Sequence, residues 1–427
     1  MGANQLVMAK GKHYHAEEGL YQEKAGAIDG VYIGSSSVHA YWQPPLAFND
    51  HGIAVVSYSI DSMPATAVKY MMIEARKTQP DALFIINLNT FKKETATFAE
   101  IHKMTDYLHL SQNKFEMINA LSQDEGIEPV GRAEFFFPII RYHSRWSSLT
   151  SADYNNRLDG LKMGQMYKKY LEVTFDLSRL YKTSTKPGNL TPAHSDALED
   201  LLAYIEREKV RVLFVTVPQA ESITSINRFN KLAEIVKERG YDCLELLNDY
   251  QKTGILLDED FQNRIHTNVH GAVKYTEYLS RYLIDTYGFA DKRGKEGWES
   301  WDAAAKKYAG VISPYTLPFE REHAPRNYAL AAPKLSDATV KASAIRLNWS
   351  ASPGAQGYEI YCKTSKKDKG YWTLLATVDG NTHAYTDENL VSDATYTYTV
   401  VPYQVSGKTK TYGRFSTAGV SAKTAAK

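Results

Sequence analysis

The chain predicts an α/β domain, a three-layer α/β/α arrangement on a parallel sheet with a helical insertion, followed by an all-β sandwich. Three observations predict this. Short apolar runs of strand character alternate with helical spacing up to about residue 90, and again after residue 208. Between those stretches no run of the same strand quality occurs. From Pro333 onward, short alternating runs sit between Gly, Asn, Asp and Ser turns.

A length of 427 residues calls for more than one domain. The expected division is 1–290 for the α/β domain, with its insertion at about 90–208, then a connector at 291–332 and the β domain at 333–427. Hydrophobic residues make up 43% and charged residues 23%, as in ordinary soluble globular chains. The formal net charge of +1 gives no electrostatic reason to expect nucleic acid or an acidic membrane as partner. Thirty tyrosines suit carbohydrate contact as well as core packing. Cys243 and Cys362 fall in different expected domains, so no disulfide is expected. No run of ~18 apolar residues predicts a transmembrane helix, and the opening Met1 to Gln5 lacks a signal-peptide core.

Val31, Tyr32 and Ile33 form the first strand, buried on both faces. Gly34 ends it, which suits a tight turn with backbone angles that glycine tolerates. Ser35, Ser36 and Ser37 follow at the carboxyl end of that strand, where open α/β sheets place ligands. Pro44 and Pro45 are expected to stop any regular element. Gly52 to Ser59 reads as a second strand, Met63 to Lys77 as a helix with Val68, Met71, Met72 and Ala75 inward, and Ala82 to Leu88 as a third strand. In the insertion, Lys114 to Leu121 and Asp196 to Ile205 read as helices. Phe135 to Ile140 reads as a hydrophobic plug, and His143, Arg145 and Trp146 as cleft-lining or surface-stacking residues that suit a sugar or an anion.

The alternation resumes with a strand at Val210 to Val217, a helix at Asn227 to Arg239 and a last strand at Tyr241 to Leu247. A polar loop, Asn248 to His270, precedes a helix at Gly271 to Tyr287. Such a loop at the sheet's carboxyl edge is a site by position. In the connector, Trp298, Trp301, Ala305 and Tyr308 would share one face of a helix lying on the first domain. In the β domain the period of two is clearest at Tyr396, Tyr398 and Val400.

Two resemblances follow. The β domain resembles fibronectin type III modules: Trp349 matches their core tryptophan, and Leu390 with Tyr396 matches their tyrosine corner. Residues 28–288 resemble the SGNH (GDSL-like) hydrolase superfamily, with a flavodoxin-like sheet. Gly34-Ser35-Ser36 matches its first block, Asn87 to Thr90 its asparagine block, and Asn263-Arg264-Ile265-His266 its final Asp-x-x-His block. The run from His266 to Leu279 and Tyr142 to Trp146 resemble the cell-surface branch related to alginate acetyltransferases and DltD-type proteins.

The resemblance implies a serine esterase or O-acyltransferase acting on a small acyl group, acetyl by preference, of a carbohydrate or cell-envelope glycan outside the cytoplasm. Ser36 would be the nucleophile, His266 the base and Asn263 its orienter. The Ser36 backbone, Asn89 (with Asn87 as rival) and a backbone N–H from Ser62 or Ser59 would hold the oxyanion. No metal or other cofactor is expected, since the histidines show no ligand spacing. The sequence departs from the family at Asn263, where aspartate is usual, and at the glycine-free turn Ser59 to Ser62. An amide can orient imidazole through its carbonyl oxygen; Asp258 or Asp260 would be substitutes. Singly, Ser36 also fits a helix cap, His266 or His270 a helix start and Asn89 a turn. The alternative function is a carbohydrate-binding or adhesive protein with a weak or lost active site.

Overall fold

The computed structural model describes residues 18–124, 126–127, 129–151, 153–154, 174–336, 338–341, 343–364 and 371–425. Two compact units divide the chain, the first running through Tyr308 and the second taking up at Ala309.

The first unit is built on five parallel strands: β1 (Gly30–Gly34), β2 (Val55–Ser59), β3 (Leu83–Asn87), β4 (Val212–Thr216) and β5 (Asp242–Glu245). Their spatial order is β2-β1-β3-β4-β5, so the direction of winding reverses between β1 and β3. Every residue of β1 to β4 is buried, as expected of strands covered on both faces. Alternation divides the core in two. Val31, Ile33, Phe84, Ile86 and Phe214 pack with the helices Ala67–Arg76, Pro192–Glu208 and Ile223–Glu238. Tyr32, Val55, Leu83, Ile85 and Val215 pack on the opposite face with residues of Ser36–Tyr41 and Val269–Tyr287. The nucleophile candidate and the histidine loop thus belong to elements on one side of the sheet.

Two expectations are corrected. Pro44 and Pro45 open a helix, Pro44–His51, rather than stopping one. Proline lacks the N–H that a first-turn residue would leave unpaired anyway. In the insertion, Phe135 is fully buried against Phe98 and His102 and Pro138 is buried, but Phe137 and Ile140 are half exposed, so only part of the segment serves as the plug. In the stretch 291–332, expected as a connector with a helix lying on the first domain, a helix forms at Glu299–Ile312. Trp301 and Tyr308 of the helix Glu299–Ile312 are buried in the first unit, where Trp301 packs on Phe48 and Tyr308 donates to Gln43 Oε1 at 2.7 Å. Leu317 and Phe319 pack with Tyr361, Trp372, Val401 and Phe415 in the second.

The second unit is antiparallel throughout its named strands. Its sheets are β10-β7-β6 and β12-β11-β8-β9, with β13 paired to β11. The strands are β6 (Thr339–Lys341), β7 (Ala344–Asn348), β8 (Gly357–Thr364), β9 (Thr373–Asp379), β10 (Ala384–Asp387), β11 (Thr395–Ser406), β12 (Thr409–Tyr412) and β13 (Val420–Lys423). Ile345, Leu347 and Trp349 from one sheet side meet Tyr358, Ile360, Tyr396, Tyr398 and Val400 from the other. Tyr396 Oη accepts the Val391 N–H at 2.9 Å, closing a corner just before β11.

Candidate active site

Gly34 ends β1, and the helix Ser36–Tyr41 begins after a single capping residue, Ser35. Gly34 is required for a reason other than the one expected. Its φ is not positive. Instead a Cβ there would stand 2.8 Å from Asn87 Cβ, Thr90 Oγ1 and Val38 Cγ2. The Ser35 N–H donates to Thr90 Oγ1 at 3.0 Å, which fixes the turn against the end of β3. Ser36 is the first helical residue, so its N–H lies ahead of the first intrahelical bond. Its hydroxyl does not cap the helix; it lies 2.8 Å from His266 Nε2 across 230 residues of sequence.

His266 is held by the loop between β5 and the helix Val269–Tyr287. Phe261 and Thr267 form an antiparallel bridge, and the Gln262 N–H donates to the His266 carbonyl at 3.1 Å. Asn268 caps the helix, its side chain accepting the N–H groups of His270 and Gly271. Neither His266 nor His270 is the cap. Thr267 Oγ1 donates to the Ala40 carbonyl at 2.6 Å, tying the histidine loop to the helix that carries Ser36. Beneath the site Tyr32 Oη and Tyr275 Oη lie 2.8 Å apart, and the Tyr41 ring meets Tyr275 edge-on. Burial pushes the Tyr41 and Tyr275 phenols well above the usual tyrosine range, so both stay neutral.

Asn263 reaches His266 from the other side, with Nδ2 3.2 Å from Nδ1. Its Oδ1 accepts the N–H groups of Ile265 at 2.9 Å and His266 at 3.0 Å. The amide therefore presents its amino end to the imidazole, opposite to the carbonyl contact expected from the sequence. Asp260 does not act as a substitute orienter. It is 1% exposed, accepts the Leu256 N–H at 2.6 Å and pairs with Lys274 Nζ at 2.6 Å.

The oxyanion candidates are placed as follows. Asn89 bridges two strand ends, accepting the Val217 N–H at 2.8 Å and donating to the Val217 carbonyl at 3.3 Å. An amide has two N–H donors, so this use leaves one of them. The rival Asn87 donates to Ser37 Oγ at 2.9 Å. Ser62 is exposed in the turn after β2 with a φ of 61°, a left-handed conformation that a glycine would take without strain. His143, Arg145 and Trp146 show local contacts: His143 Nδ1 with the Ile140 carbonyl, and Arg145 with Asp153 at 2.8 Å, while Trp146 is half exposed. A cavity of about 700 Å³ opens beside Asn263, lined by Lys92, Glu221, Ser222, Ser225 and Arg264. Sequence reasoning passed over Thr267 and Thr90. Their signal was adjacency, one to His266 and the other to Asn89.

No protein family model matches the chain. Over 116 residues it is 30% identical to an amylopullulanase of Thermoanaerobacterium saccharolyticum, covering 26% of this chain and 8% of that protein. The chain thus spans a small fraction of that relative's length. Among solved structures it is similar to a fibronectin type III domain of human collagen XX, at 27% identity and a TM-score of 0.18, covering 22% of this chain and 94% of the domain. It is also similar to a β-1,2-glucanase from Parabacteroides distasonis, at 21% identity and a TM-score of 0.19, covering 24% of this chain and 14% of the glucanase.

Proposed function

We propose that the first unit is a serine-dependent ester hydrolase or O-acyltransferase of the SGNH type, acting on a small acyl group carried by a carbohydrate. The observation that carries this reading is the 2.8 Å separation of Ser36 Oγ and His266 Nε2 at the carboxyl edge of a parallel sheet. In the reaction Ser36 Oγ attacks the ester carbonyl while its proton passes to Nε2, and His266 returns that proton to the departing alcohol. The Ser36 N–H and the remaining Asn89 N–H are the donors assigned to the oxyanion. Acetyl is the preferred acyl group by resemblance to the cell-surface branch of the family. A carbohydrate setting is favoured by the stretch of likeness to an amylopullulanase. We read the second unit as a fibronectin type III module, on the buried Trp349 and the Tyr396 corner; a place outside the cytoplasm is proposed on the resemblance to the cell-surface branch alone.

A fluorophosphonate probe and p-nitrophenyl acetate test the reading beside Ser36→Ala. The expected result is labelling and turnover that vanish in the variant; equal behaviour of the two proteins overturns it. The second reading, a binding protein with a throttled site, is favoured by one observation: the amino end of Asn263, not its oxygen, meets His266.

A further inference from the structure

The orientation of the Asn263 amide is set by its neighbours. Two backbone N–H groups, from Ile265 and His266, converge on one end of it. Backbone N–H groups only donate, so that end must be the carbonyl oxygen. Turning the amide over would set its NH2 against both donors. The end 3.2 Å from His266 Nδ1 is therefore the NH2 group, which has only hydrogens to offer. Nδ1 must accept, and a neutral imidazole whose Nδ1 accepts carries its hydrogen on Nε2. That hydrogen points along the 2.8 Å contact to Ser36 Oγ.

We propose that Asn263 is a positioning residue that holds His266 in the Nε2–H tautomer and so keeps Ser36 in a weakly reactive state. This rests on the ester-chemistry reading of the same site. Proton removal from Ser36 needs a lone pair on Nε2. To supply one, His266 must first move its hydrogen to Nδ1, where it would face the Asn263 N–H. The imidazolium formed during attack meets the same opposition, because both of its nitrogens carry hydrogen. Aspartate removes the conflict with a change of one atom: one carboxylate oxygen keeps the two backbone N–H groups and the other accepts Nδ1–H. The throttle acts on the chemical step, because the tautomer of His266 decides whether a lone pair faces Ser36 Oγ.

The test uses the full chain. Long-range 15N–1H correlation of the imidazole, assigned by the signal lost in His266→Gln, is expected to show Nε2–H in the wild type and Nδ1–H in Asn263→Asp. The reverse exchange in a serine protease lowered turnover ~10⁴-fold, so Asn263→Asp is expected to raise kcat on p-nitrophenyl acetate by about 10³–10⁴-fold, with little change in KM. The gain should be lost in the double variant with Ser36→Ala. An Nδ1–H signal in the wild type overturns the proposal whatever the variant does. Equal Ser36-dependent turnover in wild type and Asn263→Asp overturns it too, while leaving the ester reading standing. If neither protein turns over or takes the fluorophosphonate, the ester reading fails and the throttle with it.

Discussion

The hydroxyl of Thr267 donates to the carbonyl of Ala40 at 2.6 Å, joining the residue after His266 to the helix headed by Ser36. Thr267 comes from the loop after β5 and Ala40 from the helix after β1, and this bond is a direct tie between those elements. Thr267→Val keeps the shape and removes the donor. The loss is expected to cost about 1 kcal/mol of stability. The effect on turnover is expected to be larger in proportion, about 10–10²-fold, because a shift of about 1 Å between reacting groups has that weight. Denaturant midpoints and p-nitrophenyl acetate kinetics, measured on one preparation, check both figures.

Gly271 lies in the first turn of the helix behind the histidine loop. A Cβ there would stand 2.4 Å from the Asp260 carbonyl oxygen and 2.9 Å from Thr267 Cβ. Both neighbours are held, one by backbone and the other by its bond to Ala40. Gly271→Ala is expected to destabilise the first unit by about 1–3 kcal/mol through overpacking. Gly310→Ala is the control, since nothing lies within 4 Å of its Cβ position. A urea titration of both variants should show a lower midpoint for the first alone.

Asp260 and Lys274 form a pair at 2.6 Å, with side chains 1% and 13% exposed. Removing one partner of such a pair leaves a charge without compensation, at a cost of about 3–5 kcal/mol. Asp260→Ala should therefore lower the thermal midpoint strongly. The milder Asp260→Asn should destabilise less and leave kcat near wild type, because the carboxylate props the loop and does not touch His266. A fall in kcat as large as that of His266→Gln would show instead that it shares in the chemistry.

Glu100 closes a capping box at the start of the helix Phe98–Thr105. Desolvation pushes its pKa up, but hydrogen bonds from Lys93 and Thr97 outweigh that effect and hold it below the ordinary glutamate value. A lowered carboxylate pKa gives stability that is present above the unfolded-state value and is lost as pH falls through the folded one. Glu100→Gln should thus be less stable than wild type at neutral pH. The gap should narrow on the acid side of the usual glutamate range, and urea midpoints across that range measure it.

The candidate site is half legible in the sequence. Ser36 and His266 could be named because a serine after a buried strand and a histidine before the last helix are positional signals. Their meeting was not legible, since it depends on strand order. The direction of the Asn263 amide was also hidden, because the residue type allows either end to face the imidazole. Asn89 could be placed just after β3, but not its bridging of Val217, which follows the neighbouring strand β4.

What the sequence determined by itself was the element pattern. Strands buried on both faces need unbroken apolar runs, helices need their own spacing, and the turn-punctuated alternation after Pro333 needs an antiparallel sandwich. These are local demands, met within a few residues. The tertiary structure alone decided that Pro44 starts a helix, that Gly34 is needed for crowding rather than for its φ, and that Asn263 turns its amino group to His266. The crowding at Gly34 depends on atoms from another segment, Asn87 and Thr90, while the other two depend on a backbone path that residue type leaves open. A hydrogen bond's direction is fixed only when its donors have been brought into place.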